Sequence, residues 1–451
     1  MTRRSASRIS RRFRPVRRDG FLKTALDNGL TVVLKEQHHA PVVTFWVWYR
    51  VGSRDEPTGL TGISHWVEHM LFKGTPTYPK GTLDRLISRE GGAWNGMTWL
   101  DFTAYFETLP SDRWTIAPEI EADRMTKALF HPKEVEAERT VILSERHGAE
   151  NHPLFLLSEQ VQALAFQAHP YGHEVIGWPG DLQTMSREDL YRHYRTYYAP
   201  NNAIAVAVGD FRIPEALRVI ERAFSRIRPA LEIPRLRVTE PPQRGERRVV
   251  VEGEGNTAYL EIAYHAPEAS HPDFMPLVIL NAVLAGSGSL SFSGGTSNKT
   301  SRLYRALVET QIAAEVGSSL IPTVDPFLYS LTVTLQPGRH PEEAEAIIDA
   351  EIQRLQSEPI RPEEFAKALK QARADFAYSS ESVTNQGFWY GWSEIFADYT
   401  WFETYLERLG QVTPEDVQRV ARAYLTRANR TVGWYLPRTI AHPLEDRAAP
   451  I

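Results

Sequence analysis

The spacing of hydrophobic positions predicts two successive stretches of mixed strands and helices. In the first stretch, alternating or continuous apolar runs predict strands at 26–34, 41–52 and 203–209 and a strand pair within 94–109. Apolar residues at helical spacing predict helices over 62–72, 83–90, 114–128, 132–149, 155–166, 187–197 and 213–225.

The second stretch repeats this order of elements in outline. Its predicted strands cover 248–251, 257–265, 329–335 and 431–436. Its predicted helices cover 273–285, 342–356 and 362–376. Two stretches with one order of elements indicate duplication of a structural unit. We therefore predict an α+β fold of two homologous domains, each an antiparallel-rich sheet flanked by helices.

A proline-rich segment separates the two stretches. Pro229, Pro234, Pro241 and Pro242 are interleaved with charged residues, a composition typical of linkers. We predict a first domain over 19–228, a linker over 229–247 and a second domain over 248–451.

Composition restricts the possible classes of function. With 42% hydrophobic and 24% charged residues, the chain of 451 residues is typical of globular proteins. No apolar run approaches the about 20 residues that span a bilayer, so no membrane segment is expected. The net charge of −5 gives no reason to expect nucleic-acid binding. The absence of cysteine excludes disulfides and thiolate metal sites, so His, Asp or Glu must hold any metal.

The beginning of the chain is strongly basic. Residues 1–18 carry eight arginines and no acidic residue. A secretory signal needs an apolar central region of about 7–15 residues, and none follows. We therefore predict a disordered basic arm over 1–18 and a cytoplasmic protein. An organelle or the periplasm is the alternative if the arm is a targeting signal.

The most informative short pattern is His65-Trp66-Val67-Glu68-His69. On a helix, His65 and His69 lie one turn apart on one face, with Glu68 beside them. Two imidazoles so placed can bind Zn²⁺, and a nearby carboxylate can take a proton from water that the metal activates. The alternative is an ordinary histidine pair on a surface or core helix.

A catalytic zinc normally has three protein ligands and an open position. Glu145 is the predicted third ligand, because it lies on a helix whose other side is apolar enough to pack against the first helix. Glu138 lies two turns earlier on the same face and can support the site. It is also the alternative third ligand.

Several further motifs extend this pattern along the chain. They are Phe72-Lys73-Gly74-Thr75, Gly91-Gly92-Ala93-Trp94-Asn95-Gly96-Met97-Thr98 with Asp101 and Tyr105, Glu138-Arg139-x-Val141-Ile142-x-x-Glu145, Tyr171-Gly172-His173 with Gly177, and Tyr197-Tyr198-Ala199-Pro200-Asn201-Asn202. Together with His65-x-x-Glu68-His69, they make the chain after the basic arm resemble the pitrilysin/insulinase family of zinc peptidases. The resemblance is to its smaller branch, related to mitochondrial processing peptidase.

The resemblance implies specific roles for these residues. His65, His69 and Glu145 would bind one Zn²⁺ per chain, and Glu68 would be the general base. Glu138 would assist catalysis as a supporting carboxylate.

The resemblance also implies a cleft for a peptide substrate. The residues expected to line it are Ala93, Asn95, Thr98 and Phe102. In this cleft, a peptide could add to the sheet as an edge strand through main-chain hydrogen bonds.

The second stretch departs from the family pattern. Members usually supply an Arg and a Tyr there that hold the substrate, but this chain has Val308 at the Arg position and Glu315, or Ala314, at the Tyr position. Arg302 and Tyr304 are possible replacements. The favoured explanation is a homologous subunit that supplies both groups, since two α+β domains make only half of the clamshell-like chamber of the long members.

These observations predict a zinc-dependent endopeptidase subunit that works as a heterodimer with a homologue lacking zinc. The alternative is a non-catalytic structural subunit of a larger complex. The intact set of predicted ligands and base favours the enzyme.

Overall fold

The computed structural model describes residues 15–286 and 299–438. A sheet of seven strands in the order β1-β2-β3-β7-β4-β6-β5 forms the centre of the first half. The strands are β1 (Val16–Arg18), β2 (Phe21–Ala25), β3 (Thr31–Glu36), β4 (Val42–Tyr49), β5 (Ala93–Thr98), β6 (Thr103–Pro110) and β7 (Ala203–Gly209). Its helices are α1 (Ile63–Met70), α2 (Thr82–Arg89), α3 (Ile116–Lys127), α4 (Pro132–Glu150), α5 (Pro153–Ala165), α6 (Pro179–Thr184), α7 (Arg187–Tyr197) and α8 (Ile213–Phe224).

The second half is built on a sheet of five strands in the order β10-β11-β9-β12-β8. The strands are β8 (Arg247–Gly253), β9 (Tyr259–Ala266), β10 (Ala313–Leu320), β11 (Phe327–Leu335) and β12 (Arg430–Pro437). Its helices are α9 (Phe274–Leu284), α10 (Pro341–Ser357), α11 (Pro362–Ser379), α12 (Val383–Phe396), α13 (Tyr399–Glu403), α14 (Tyr405–Gly410) and α15 (Pro414–Tyr424).

The two sheets share one topology. In each, a parallel pair, β3 with β7 and β12 with β8, lies beside a run of antiparallel strands. The order β3-β7-β4-β6-β5 therefore matches β8-β12-β9-β11-β10. The predicted α+β fold with a duplicated unit is confirmed.

Each half also covers a sheet of the other half. Helix α12 lies on strand β4, where a Cβ atom at Gly391 would be 2.0 Å from Nε1 of Trp48. Helix α5 lies on strand β12, where a Cβ atom at Gly433 would be 2.4 Å from Val161 Cγ2. Glycine at both positions removes the side chain that would separate helix and sheet. The halves therefore share their packing across a common interface.

Two predicted segments differ in the structure or lie partly outside it. Of the basic arm at 1–18, only residues 15–18 are described, and Val16–Arg18 form a strand instead of a disordered segment. The reason is a tight turn through Gly20, with φ of 62°, which lets this strand pair with β2.

The proposed linker has no helix or strand from 229 to 246, and the domain boundaries stay a prediction. No helix in the described residues is long and apolar enough to cross a membrane.

Candidate metal centre

Helices α1 and α4 bring the three predicted ligands together. His65 and His69 lie one turn apart on α1, and their Nε2 atoms are 3.2 Å apart. Glu145 on α4 places Oε2 3.7 Å from His69 Nε2 and 4.0 Å from His65 Nε2. One ligand atom from each residue lies within 4.8 Å of the other two. The cluster therefore joins groups separated along the sequence into one site.

These distances fit a zinc ion. Tetrahedral ligands with bonds of about 2.0–2.1 Å to the metal lie about 3.3 Å from one another, close to the separations in this cluster. The side chain of Glu145 is 44% exposed, so the site is open on one side. Two imidazoles, one carboxylate and an open position form the donor set of a catalytic zinc.

Glu138 contacts the opposite edge of the His69 ring. Its Oε1 atom is 2.8 Å from His69 Nδ1, and its Oε2 atom pairs with Lys73 Nζ. Burial alone would raise the pKa of Glu138, but the hydrogen bonds from His69 and Lys73 lower it overall. Because Nδ1 donates to this carboxylate, Nε2 of His69 keeps a free lone pair for a metal. Glu138 thus stands behind the ligand, and Glu145 completes the cluster.

The electrostatics of the two histidines also suit a cation. Burial lowers the pKa of His65 to about 3, which keeps its imidazole neutral and able to bind metal. Burial opposes the charged form of His69, but Glu138, Glu145 and Glu68 raise its pKa overall. Negative groups therefore favour positive charge at this point of the fold.

Glu68 lies beside the ligands on the same helix. Its side chain is 8% exposed, and Oε2 accepts a hydrogen bond of 2.8 Å from Thr98 Oγ1 on β5. Burial raises the pKa of Glu68, although the bond from Thr98 opposes this effect. A carboxylate with a raised pKa is suited to accept and return a proton.

Strand β5 passes close to Glu68 and forms the edge of its sheet. A Cβ atom at Gly96 would lie 3.0 Å from Glu68 Oε1 and 3.1 Å from the Phe72 ring, so the close approach favours glycine. Ala93 and Asn95 on this strand are exposed. Among the described residues, β5 pairs with β6 alone, so its other edge can receive an extended peptide.

Two of the four predicted cleft residues, Thr98 and Phe102, have other structural roles. The hydroxyl of Thr98 donates to Glu68 and so supports that carboxylate. Phe102 is 2% exposed and packs against the rings of Trp48 and Trp392. It directly precedes β6, and its side chain lies in the hydrophobic core. The prediction that Phe102 lines the cleft is therefore wrong.

The start of α1 is held by contacts that the sequence did not reveal. Glu56 accepts hydrogen bonds of 2.8 Å from the backbone N–H groups of Gly62 and Ser64, which a helix leaves unpaired at its first turn. Asp181 accepts from both the N–H and the hydroxyl of Thr61. No local spacing signals the Asp181 contact, because it spans 120 positions. Lys73 was also missed, although it stands one turn after His69.

The second half has no equivalent cluster in its described residues. Helix α9 takes the place of α1, and all eleven of its residues are buried. Arg302 donates two hydrogen bonds of 2.9 Å to Glu364, so this guanidinium is committed to a carboxylate within its own half. The idea that Arg302 replaces the missing arginine therefore has no support in its contacts.

Family profiles match most of the chain. A profile described as insulinase (peptidase family M16) matches residues 31–178. A second, described as peptidase M16 inactive domain, matches residues 184–372. A zinc protease, PqqE, of Helicobacter pylori is 28% identical over 424 residues, covering 91% of this chain and 92% of the relative. The beta subunit of the mitochondrial-processing peptidase of Lentinula edodes is 25% identical, covering 89% and 87% of the two chains.

Solved structures show the same architecture. A protease from Helicobacter pylori superposes with a TM-score of 0.87 at 26% identity, covering 92% of this chain and 99% of that chain. A peptidase M16 inactive domain from Pseudomonas fluorescens superposes with a TM-score of 0.82 at 17% identity, covering 94% and 100%. The second likeness, at its low identity, concerns the fold alone.

Proposed function

Because the chain belongs to the insulinase family of peptidases, family M16, we propose that it is a zinc-dependent endopeptidase. The observation that carries the proposal is the convergence of His65, His69 and Glu145 within 4.8 Å, with Glu68 beside them. A structural protein has no need of such a donor set with a buried carboxylate next to it. Relatives named zinc proteases support the assignment.

Glu68, Thr98 and Glu138 have different roles in peptide hydrolysis. Bound zinc would supply a Lewis acid that makes water more acidic and polarises the scissile carbonyl. Glu68 accepts the proton of the attacking water on its carboxylate and delivers it to the leaving amine. Thr98 holds this carboxylate in one orientation through its hydroxyl. Glu138 holds the His69 ring in the tautomer that leaves Nε2 free.

The substrate class follows from the exposed edge of β5. An extended peptide or an unfolded polypeptide can align along Ala93 to Thr98 by main-chain hydrogen bonds, with its scissile bond near Glu68. Because main-chain groups are common to all sequences, this mode accepts many peptides. Side chains such as Asn95 then contribute selectivity.

The variant Glu68→Gln tests the assignment. It should retain zinc and the fold but lose peptide hydrolysis by at least about 100-fold, because the amide cannot accept the proton. Glu134→Gln is a matched control, since Glu134 lies on α4 and pairs with the exposed Lys80. Zinc content by atomic emission and cleavage of unfolded polypeptides are the measurements. Hydrolysis by Glu68→Gln at the rate of the unchanged chain would overturn the mechanism.

We further propose that the active form is a heterodimer with a homologous subunit. Val308 and Glu315 stand where the family places the substrate-holding Arg and Tyr, and Arg302 is paired with Glu364. The isolated chain should therefore be weakly active or inactive, and co-expression with a homologue carrying both residues should restore turnover. Full activity of the isolated chain would contradict the heterodimer.

The alternative of a non-catalytic subunit has one observation in its favour. The profile that matches residues 184–372 describes an inactive domain. This alternative predicts no hydrolysis either by the isolated chain or by the chain with its partner. The cytoplasmic location stays a prediction from the sequence, and fractionation of cells expressing the full chain tests it.

A further inference from the structure

The turn between β10 and β11 contacts the turn between β5 and β6 in the other half. The backbone N–H of Val324 donates a hydrogen bond of 3.0 Å to Oδ2 of Asp101. Oδ1 of Asp101 accepts a bond of 2.5 Å from the hydroxyl of Tyr171. Asp101 is 3% exposed, so these bonds replace water around a buried carboxyl group.

Arg54 joins both turns by bonding one carboxylate in each half. Its Nη1 donates to Asp101 Oδ1 at 3.2 Å, and its Nη2 donates to Asp325 Oδ2 at 2.5 Å. His169 Nε2 also lies 3.1 Å from the same Asp325 oxygen. Arg54, His169 and Tyr171 belong to the first half. Asp325 belongs to the second half.

The backbone segment that precedes α1 is hydrogen-bonded to the β5–β6 turn. The N–H groups of Ser53 and Arg54 donate to the carbonyl groups of Trp99 and Leu100 at 3.1 and 3.0 Å. Thr98, which precedes this turn directly, donates to Glu68. One set of contacts therefore fixes the hairpin turn, the approach to α1 and the partner of the candidate base.

Strand β5 needs such support because it lies at the edge of its sheet. In the part of the chain that the structure describes, it pairs with β6 on one side only, and edge strands open more easily than central strands. Charge-assisted hydrogen bonds between partly buried groups are the stronger kind in proteins. The cross-half contact at the turn is thus a second anchor for the strand besides its ladder with β6.

We propose that Arg54 and Asp325 are positioning residues that hold the β5 edge in register for a peptide. Through them the second half, whose described residues contain no metal cluster, controls the order of the peptide-binding strand. The structural part of this proposal concerns the hairpin alone. Its consequence for peptide binding rests on the proposed function.

The variant Asp325→Asn tests the proposal in the zinc-loaded full chain. Hydrogen–deuterium exchange at the β5 amides that pair with β6 should become about 10-fold faster, because one charge-assisted anchor is lost. Exchange in α1 should stay unchanged. For peptide hydrolysis by the chain together with its homologous subunit, KM should rise several-fold while kcat changes less than about twofold, since the strand binds substrate without reacting.

A matched control removes a similar ion pair elsewhere. In Glu364→Gln, the pair with Arg302 is lost within the second half, and β5 exchange should not change. If Asp325→Asn does not fold, Arg54→Lys replaces it, because lysine keeps the charge but cannot bond both carboxylates in a fork. Unchanged β5 exchange in a folded variant, or equal acceleration in Glu364→Gln, overturns the proposal. Exchange is read without catalysis, so a chain that stays inactive even with its homologous subunit would refute the proposed function and leave this result decisive.

Discussion

Nδ1 of His69 lies 2.8 Å from Oε1 of Glu138, on the edge of the ring turned away from His65 and Glu145. This relationship determines the tautomer of His69 and so presents Nε2 to a metal as a lone pair. Lys73 balances the charge of Glu138 from the other side. The site therefore includes a support behind its ligands as well as the ligands themselves.

Replacing this support should weaken zinc binding without abolishing it. Glu138→Gln should lower zinc affinity about 10- to 100-fold, because a neutral amide lacks the negative charge that raises the basicity of His69. Competition with a chromophoric chelator measures the affinity. Glu136→Gln, on the exposed side of α4, is the control and should bind zinc normally. An unchanged affinity in Glu138→Gln would show that the contact has no influence on the metal.

The placement of Phe102 predicts a stability effect. Phe102→Ala should lower the free energy of unfolding by about 3–5 kcal/mol, because it removes a ring packed between Trp48 and Trp392. Asn95→Ala, at an exposed position of β5, should change it by less than about 0.5 kcal/mol. Urea unfolding followed by tryptophan fluorescence compares the two. Similar stability of both variants would contradict the buried position of Phe102.

The contact of α12 with the first sheet predicts intolerance of a single methyl group. Gly391→Ala should destabilise the protein by about 1–3 kcal/mol, because the new Cβ atom would overlap the Trp48 ring. In Gly148→Ala the new Cβ atom meets no described atom within 4 Å on helix α4, and stability should rise by up to about 1 kcal/mol. Thermal unfolding distinguishes the two. A neutral Gly391→Ala would mean that α12 does not pack so closely on β4.

A charged network on the second sheet predicts a specific dependence on pH. Burial alone would raise the pKa of Glu246, but Arg248 and Arg430 lower it from 4.5 to about 2. A lowered pKa in the folded state means that the ionised carboxylate stabilises the fold above pH 4.5 and that this contribution disappears as the pH falls toward 2.

The variant Glu246→Gln should therefore be less stable than the unchanged chain at pH 7, and the difference should shrink on acidification. Denaturant unfolding at several pH values between 7 and 3 measures it. The control variant is Glu342→Gln, on the exposed first turn of α10. Gln243→Glu is not a suitable control, because the Gln243 amide donates a hydrogen bond to the backbone carbonyl of Arg430. A difference that is constant with pH would contradict the role of the carboxylate charge.

Parts of the fold were predictable because their signals are local. Helical spacing identified α4, α7, α8 and α10, and alternating or continuous apolar runs identified β4, β7 and β9. Helix α12 was not predicted, because ten of its residues are buried and a helix surrounded by protein has no polar face to reveal its period. The aromatic side chains of Phe388, Trp389 and Trp392 on this helix are buried.

The sequence by itself determined the candidate metal chemistry. His65, Glu68 and His69 share a helix face because the helical repeat is a property of the backbone, and Glu138 and Glu145 share a second face for the same reason. Only the tertiary structure decided which carboxylate faces the cluster, that Thr98 holds Glu68, that Phe102 is buried and that Asp325 reaches the β5–β6 turn. These contacts join residues far apart along the chain, and their geometry depends on how sheets and helices pack, which no local spacing encodes.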